Sequence, residues 1–191
     1  MAAVLVPGYA GSVEQPIIQR VARQLRKAGI VPYPVSVSGG GRRPSADLRR
    51  EVDLLRAACE VASSGRTRRL ALVGRSFGGR VCARLAAAEP EWAVALVLLG
   101  HPIAPPGRPR PADELALETV RCPTLVVQGD ADRLGPLAVL ERIAAANPHL
   151  ELRVLPNVGH TFGRQEPTAA ALAVAWLRGI LGTEATAPAQ V

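Results

Sequence analysis

Ser76 sits in the run Gly74-Arg75-Ser76-Phe77-Gly78, directly after a short apolar segment and directly before a helical pattern. A serine at the crest of a sharp strand-to-helix turn takes a strained backbone conformation, so the residues two positions away must lack bulk. Such a turn presents the hydroxyl above a sheet, and the helix N-terminus behind it favours developing negative charge. As a bare pattern the run is weak, and a glycine-rich turn with an incidental serine is the alternative. Its place between strand and helix is what marks Ser76 as a candidate nucleophile.

A nucleophilic hydroxyl needs a base, and the base needs an orienting acid. The chain has three histidines. His149 precedes the sixth apolar run and so falls at the wrong edge. His160, in Val158-Gly159-His160-Thr161-Phe162, follows that run, and His101 follows the fourth; both qualify. Two carboxylates lie in Gln128-Gly129-Asp130-Ala131-Asp132-Arg133 after the fifth run. Asp132 is deeper in the loop and better placed to reach a histidine, whereas Asp130 suits a turn-stabilising role toward nearby amides. An oxyanion would need two backbone donors. The Phe77 amide is one. Tyr9 or Ala10, in Pro7-Gly8-Tyr9-Ala10-Gly11-Ser12, could supply the other, with Gly8 and Arg75 as candidate substrate contacts.

These residues need a frame. Apolar runs at 2–6, 30–37, 70–73, 94–99, 124–127 and 150–155 read as strands. Helical spacing covers 16–28, a segment opened by Ser45 as N-cap and continuing through Cys59, then 80–88, 137–146 and 168–181. Residues 39–41 read as a flexible glycine loop and 100–110 as a long irregular stretch. Strands alternating with helices predict an α/β three-layer sandwich, an about six-stranded, mostly parallel sheet with helices on both faces and no cap. Residues 1–181 are expected to form one domain and 182–191 a disordered tail. In such sheets ligands collect at the carboxyl ends of strands, which is where the serine, aspartate and histidine candidates fall.

Composition excludes several function classes. The net charge of +7 is almost wholly arginine, Lys27 being the only lysine, with short clusters at 42–43, 49–50 and 66–69. Six aromatics do not interleave with them, so no nucleic-acid partner is expected. Cys59, Cys82 and Cys122 lack metal-ligand spacing and predict reduced, buried thiols, hence a cytoplasmic setting with no metal or cofactor. The run at 2–6 is too short for a signal peptide or a membrane span. Arg42, Arg43, Arg108 and Arg133 lie near the loop edge, where they would either receive a carboxylate- or phosphate-bearing substrate or simply face water.

The elbow, the aspartate loop, the Gly159-His160 loop and the Pro7-Gly8 turn together resemble the α/β-hydrolase superfamily over residues 2–181. More narrowly, Gly74-Arg75-Ser76-Phe77-Gly78-Gly79-Arg80, with Gly100-His101-Pro102 and Pro105-Pro106-Gly107, is similar to small hydrolases near the dienelactone hydrolases. That group includes the testis-expressed protein 30 family and a hydrolase-like subunit of an animal histone-acetyltransferase complex. The resemblance implies a triad of Ser76, Asp132 and His160, the chain order favouring His160 over His101. Dienelactone hydrolases use cysteine where this chain has Ser76, so their substrate does not carry over. Pro7 stands where many hydrolases have histidine, and about six of the fold's eight strands are present. The implied activity is cleavage of a small ester or thioester by a monomer or homodimer, without cofactor. Transfer of the acyl group to another acceptor, or a non-catalytic module that binds protein partners, are the alternatives.

Overall fold

Leu70, Ala71, Leu72 and Val73, like every residue of the run 93–99, are buried, because a strand covered on both faces has no polar side to show. These runs form the middle of the sheet. In the computed structural model, which describes residues 1–38, 43–63 and 70–184, the order is β1 (Ala2–Val6), α1 (Pro16–Lys27), β2 (Val31–Pro34), α2 (Arg49–Ser63), β3 (Leu70–Arg75), α3 (Phe77–Ala88), β4 (Ala93–Leu99), α4 (Pro111–Thr119), β5 (Thr124–Gly129), α5 (Leu137–Ala146), β6 (Leu150–Leu155) and α6 (Glu166–Glu184). All strand pairs are parallel, in the spatial order β2-β1-β3-β4-β5-β6.

Side chains alternate across this sheet as the strand period of two requires. Ala3, Leu5, Ala71, Val73, Val97 and Leu99 pack into one apolar core with α1 and α6. Val4, Val6, Leu70, Leu72, Leu96 and Leu98 pack into the other, with α2, α3, α4 and α5. The three-layer α/β sandwich of the sequence reading is the observed architecture. No cap domain stands over the strand ends among the described residues, and no described helix is long and apolar enough to cross a membrane. The chain reverses direction across the sheet between β1 and β3, so the loops after these two strands part and leave a crevice between them.

Several boundaries differ from the sequence reading, each for a local reason. Strand β2 is shorter than residues 30–37 and lies at the sheet edge, with Val31 about half exposed. Val31 directs its amide to the carbonyl of Met1, just ahead of β1, and Val35 to that of Leu5 in β1. Ser45 does not cap α2: Leu48 takes a φ of +59°, helix begins at Arg49, and the Ser45 hydroxyl and amide both bond the buried Glu51 carboxylate. Strand β3 continues through Gly74 and Arg75, and α3 starts at Phe77 rather than Arg80. Helix α4 was absent from the sequence reading altogether. The last helix reaches Glu184. Residues 185–191 of the expected tail, the glycine loop at 39–41, Arg42 and the arginine cluster at 66–69 lie outside the described residues. Cys59, Cys82 and Cys122 are free and buried, and burial pushes the Cys59 thiol up to about 12.

Helix α4 is tied to α3 by charge. Its Asp113 side chain is fully buried and accepts from Arg80 Nε and, at 2.8 Å, from Arg84 Nε. Removing one side of a buried pair strands the other. Asp113→Ala is expected to lower the unfolding free energy by about 2 kcal/mol, less than for a fully dry pair because the arginines retain some contact with water. Urea unfolding at neutral pH checks this, and an unchanged midpoint would remove the pair as the anchor of α4.

Candidate active site

The turn between β3 and α3 is built by contact. Ser76 has a φ of +49°, which non-glycine residues rarely adopt, and its amide bonds the Leu99 carbonyl of β4. A Cβ on Gly78 would lie 2.3 Å from the Val6 carbonyl oxygen, and one on Gly74 would lie 2.4 Å from the Gly79 Cα. Only hydrogen at these two positions lets the first turn of α3 pass so close to β1 and β3. The serine is thereby set at the carboxyl end of β3, beside the crevice.

Two further loops meet it. Ser76 Oγ lies 2.8 Å from Nε2 of His160, which follows β6. Nδ1 of the same ring lies 2.8 Å from Oδ2 of Asp132, which follows β5. Asp132 is buried, and its oxygens are fully engaged. Oδ1 accepts from the Leu134 amide, and Oδ2 also accepts from Gln128 Nε2. Burial alone would raise the Asp132 pKa, but hydrogen bonds from His160 and the Leu134 amide, helped by the nearby Arg75 charge, outweigh it and hold the group below its ordinary value. An ionised Asp132 keeps the imidazole proton on Nδ1 and leaves Nε2 as acceptor for the serine proton. Asp130 accepts from the Val158 amide and so steadies the loop that carries His160.

The competing histidine lies elsewhere. His101 is fully buried, neither ring nitrogen has a partner among the described residues, and its Nδ1 faces Gly79 on the α3 side. Burial pushes its pKa down to about 4, so the ring is neutral near pH 7. Its backbone amide donates to Gln128 Oε1, while Gln128 Nε2 reaches Asp132 and the Gly135 carbonyl. Gln128 thus joins the β4 and β5 loops beneath the aspartate, a role that the sequence reading missed.

A cleft of about 620 Å³ opens beside the serine, lined by Tyr9, Ser76, Phe77, Pro102, Leu134 and others. The Gly8 amide is taken by Gln15 Oε1, whereas the amides of Tyr9, Ala10 and Phe77 have no protein acceptor among the described residues. Tyr9 packs edge-on against Phe77 at 5.9 Å, which brings the first loop to the start of α3. Ala10 takes a φ of +54°. Arg75 and Arg133 do not line the cleft. Arg75, expected at the substrate, is buried against the histidine loop, with its Nη1 3.5 Å from His160 Nε2. It donates to the carbonyls of Leu99 and His160, with its guanidinium 5.4 Å from the centre of the Phe162 ring. Among the described residues, no three histidine, cysteine or acidic side chains are grouped to hold a metal ion.

Comparison with known proteins agrees with this frame. A family model described as an alpha/beta hydrolase domain matches residues 3–179. No curated protein matches the chain. Among solved structures, Est1E from Butyrivibrio proteoclasticus has a TM-score of 0.79 at 16% identity, over 95% of this chain and 88% of that one. An alpha-beta serine hydrolase homologue from Coxiella burnetii has a TM-score of 0.76 at 20% identity, over 92% and 85%. At such identities the likeness is one of fold. The narrower similarity to the dienelactone hydrolase group rests on the two sequence motifs alone.

The buried His101 ring makes acid lability predictable. Above about pH 6.5 neither the folded nor the unfolded state binds its proton, and between about 6.5 and 4 only the unfolded chain does. Stability therefore falls as pH drops through that window, by about 3 kcal/mol in all. His101→Leu is expected to flatten this slope between pH 7 and 4.5 in chemical unfolding. An equal slope in both proteins would place the acid lability elsewhere.

Proposed function

The chain belongs to the alpha/beta hydrolase domain family, and from that premise we propose that it is a serine hydrolase acting on small esters or thioesters. The observation that carries the reading is the continuous hydrogen-bonded line from Ser76 Oγ through both ring nitrogens of His160 to the buried Asp132 carboxylate. Ser76 Oγ attacks the carbonyl carbon as its proton passes to His160 Nε2. Asp132 holds the ring and offsets the imidazolium charge. The negative oxygen of the tetrahedral intermediate is met by the Phe77 amide at the start of α3 and by that of Tyr9 or Ala10. His160 returns its proton to the departing alcohol or thiol, leaving an acyl-serine. Water, deprotonated by His160, then releases the acid.

Arg75 fits this scheme as a positioning residue. Its bond to the His160 carbonyl fixes the loop from which the imidazole projects. The three free, buried cysteines suit a reducing compartment such as the cytoplasm.

A fluorophosphonate reacts with an activated serine, forming an oxygen–phosphorus bond as fluoride leaves. Intact-mass measurement should show one adduct on the wild-type protein and none on Ser76→Ala. Asp132→Asn is expected to slow ester turnover by on the order of 10⁴-fold, because the ring loses the partner that fixes its tautomer. Absence of an adduct on a protein shown to be folded would sink the hydrolase reading and redirect the search to binding partners.

A further inference from the structure

The cleft beside Ser76 carries one sign of charge. Of the ten described residues that line it, four are arginines, Arg43, Arg80, Arg108 and Arg110, and none is acidic. They arrive from three parts of the chain: the β2–α2 connection, helix α3, and the β4–α4 connection. A nearby carboxylate, Asp113, is already shared between Arg80 and Arg84. Arg43, Arg108 and Arg110 have no carboxylate within ion-pair distance among the described residues, and Arg110 instead donates to the Pro102 carbonyl. Burial, followed by repulsion from Arg80, holds the Arg110 pKa below its ordinary value, although the Asp113 charge pulls it the other way.

Half-buried Arg56 and Arg84 have carboxylates, from Glu89 and Asp53 and from Asp113, while buried Arg75 is held by the carbonyls of Leu99 and His160. In the cleft, half-buried Arg110 is held by the Pro102 carbonyl, and exposed Arg43 and Arg108 converge with it at the point where a substrate must lie. The remaining walls, from Tyr9, Pro44, Phe77, Pro102 and Leu134, are mostly apolar. Low-dielectric walls around a single sign of charge focus the field and concentrate oppositely charged solutes. The N-terminus of α3 adds to it.

We propose that the cleft selects esters or thioesters that carry a second, anionic group, a carboxylate or phosphate, seated among Arg43, Arg108 and Arg110 while the acyl carbon lies at Ser76. This rests on the serine-hydrolase reading above. A neutral substrate would leave the arginines unneutralised, whereas an anionic one takes the place of the missing counter-ion. The volume suits a small acyl group with a short charged arm.

The test compares two para-nitrophenyl esters of equal chain length, the adipate half-ester and the neutral hexanoate, on the full-length protein, with fluorophosphonate labelling run alongside. The anionic ester is expected to show about tenfold higher kcat/KM, roughly 1.4 kcal/mol, and the advantage should shrink with added salt. Arg43 and Arg108 are exposed, so the Arg43→Ala/Arg108→Ala variant should fold normally and bring the ratio toward one. Arg23→Ala/Arg26→Ala, on the remote helix α1, should not move it. Competitive inhibition by inorganic phosphate against adipate tells which anion the arginines prefer. Labelling without any charge preference, or a preference that survives the double substitution, overturns this inference alone. Failure to label overturns it together with the hydrolase reading.

Discussion

The site depends on how closely α3 approaches β1. Gly78 has no room for a side chain against the Val6 carbonyl, and Gly74 none against Gly79, so the strand-to-helix turn has a single way to close. That closure puts Ser76 at a positive φ and aims the helix start at the crevice where the sheet order reverses. Ser76, a helix N-terminus and the amides of Tyr9 and Ala10, which have no protein acceptor among the described residues, then meet without further adjustment. The strain at Ser76 persists because the packed helices and strands on both sides leave no relaxed alternative.

From this point a line of polar groups runs across three loops. His160 joins β6 to the serine, Asp132 joins β5 to the histidine, and Gln128 joins the aspartate to the backbone after β4. Each member has its partners, and a buried network of this kind rigidifies only when all are satisfied. Arg75 adds a further hold, bonding the His160 carbonyl. The His160 ring is therefore located by backbone and side chain together.

What the sequence discloses divides along the same lines. The central strands and the glycine-bounded turn are local patterns, and their chemistry is visible one residue at a time. Arg75 is different. Read as ending at Val73, β3 leaves Arg75 in a loop free to meet substrate. Extended by two residues, the same strand puts Arg75 on the face of Ala71 and Val73, beneath the histidine loop, by simple alternation. Helix α4 escaped because Asp113 points inward to two arginines, so its buried side does not read as apolar. Ser45 looked like a cap, yet the Leu48 turn and the Glu51 carboxylate decide its role, and both are tertiary facts. Arg80 and Arg110 join Arg43 and Arg108 at the cleft only once the chain is folded, since no spacing rule links them.

The edge strand β2 has the sequence Val31-Pro32-Tyr33-Pro34. Val31 and Val35 turn their amides inward, on the β1 side, so by alternation the outward positions belong to Pro32 and Pro34. Neither has an N–H to offer. A sheet grows by pairing at its margins, and an exposed strand is the usual template for stray association between chains. Here the outward row carries acceptors and no donors, so a seventh strand from another molecule finds half of the required ladder missing. Two imino acids make this border of the sheet a poor template for lateral fusion, by covalent structure rather than by charge.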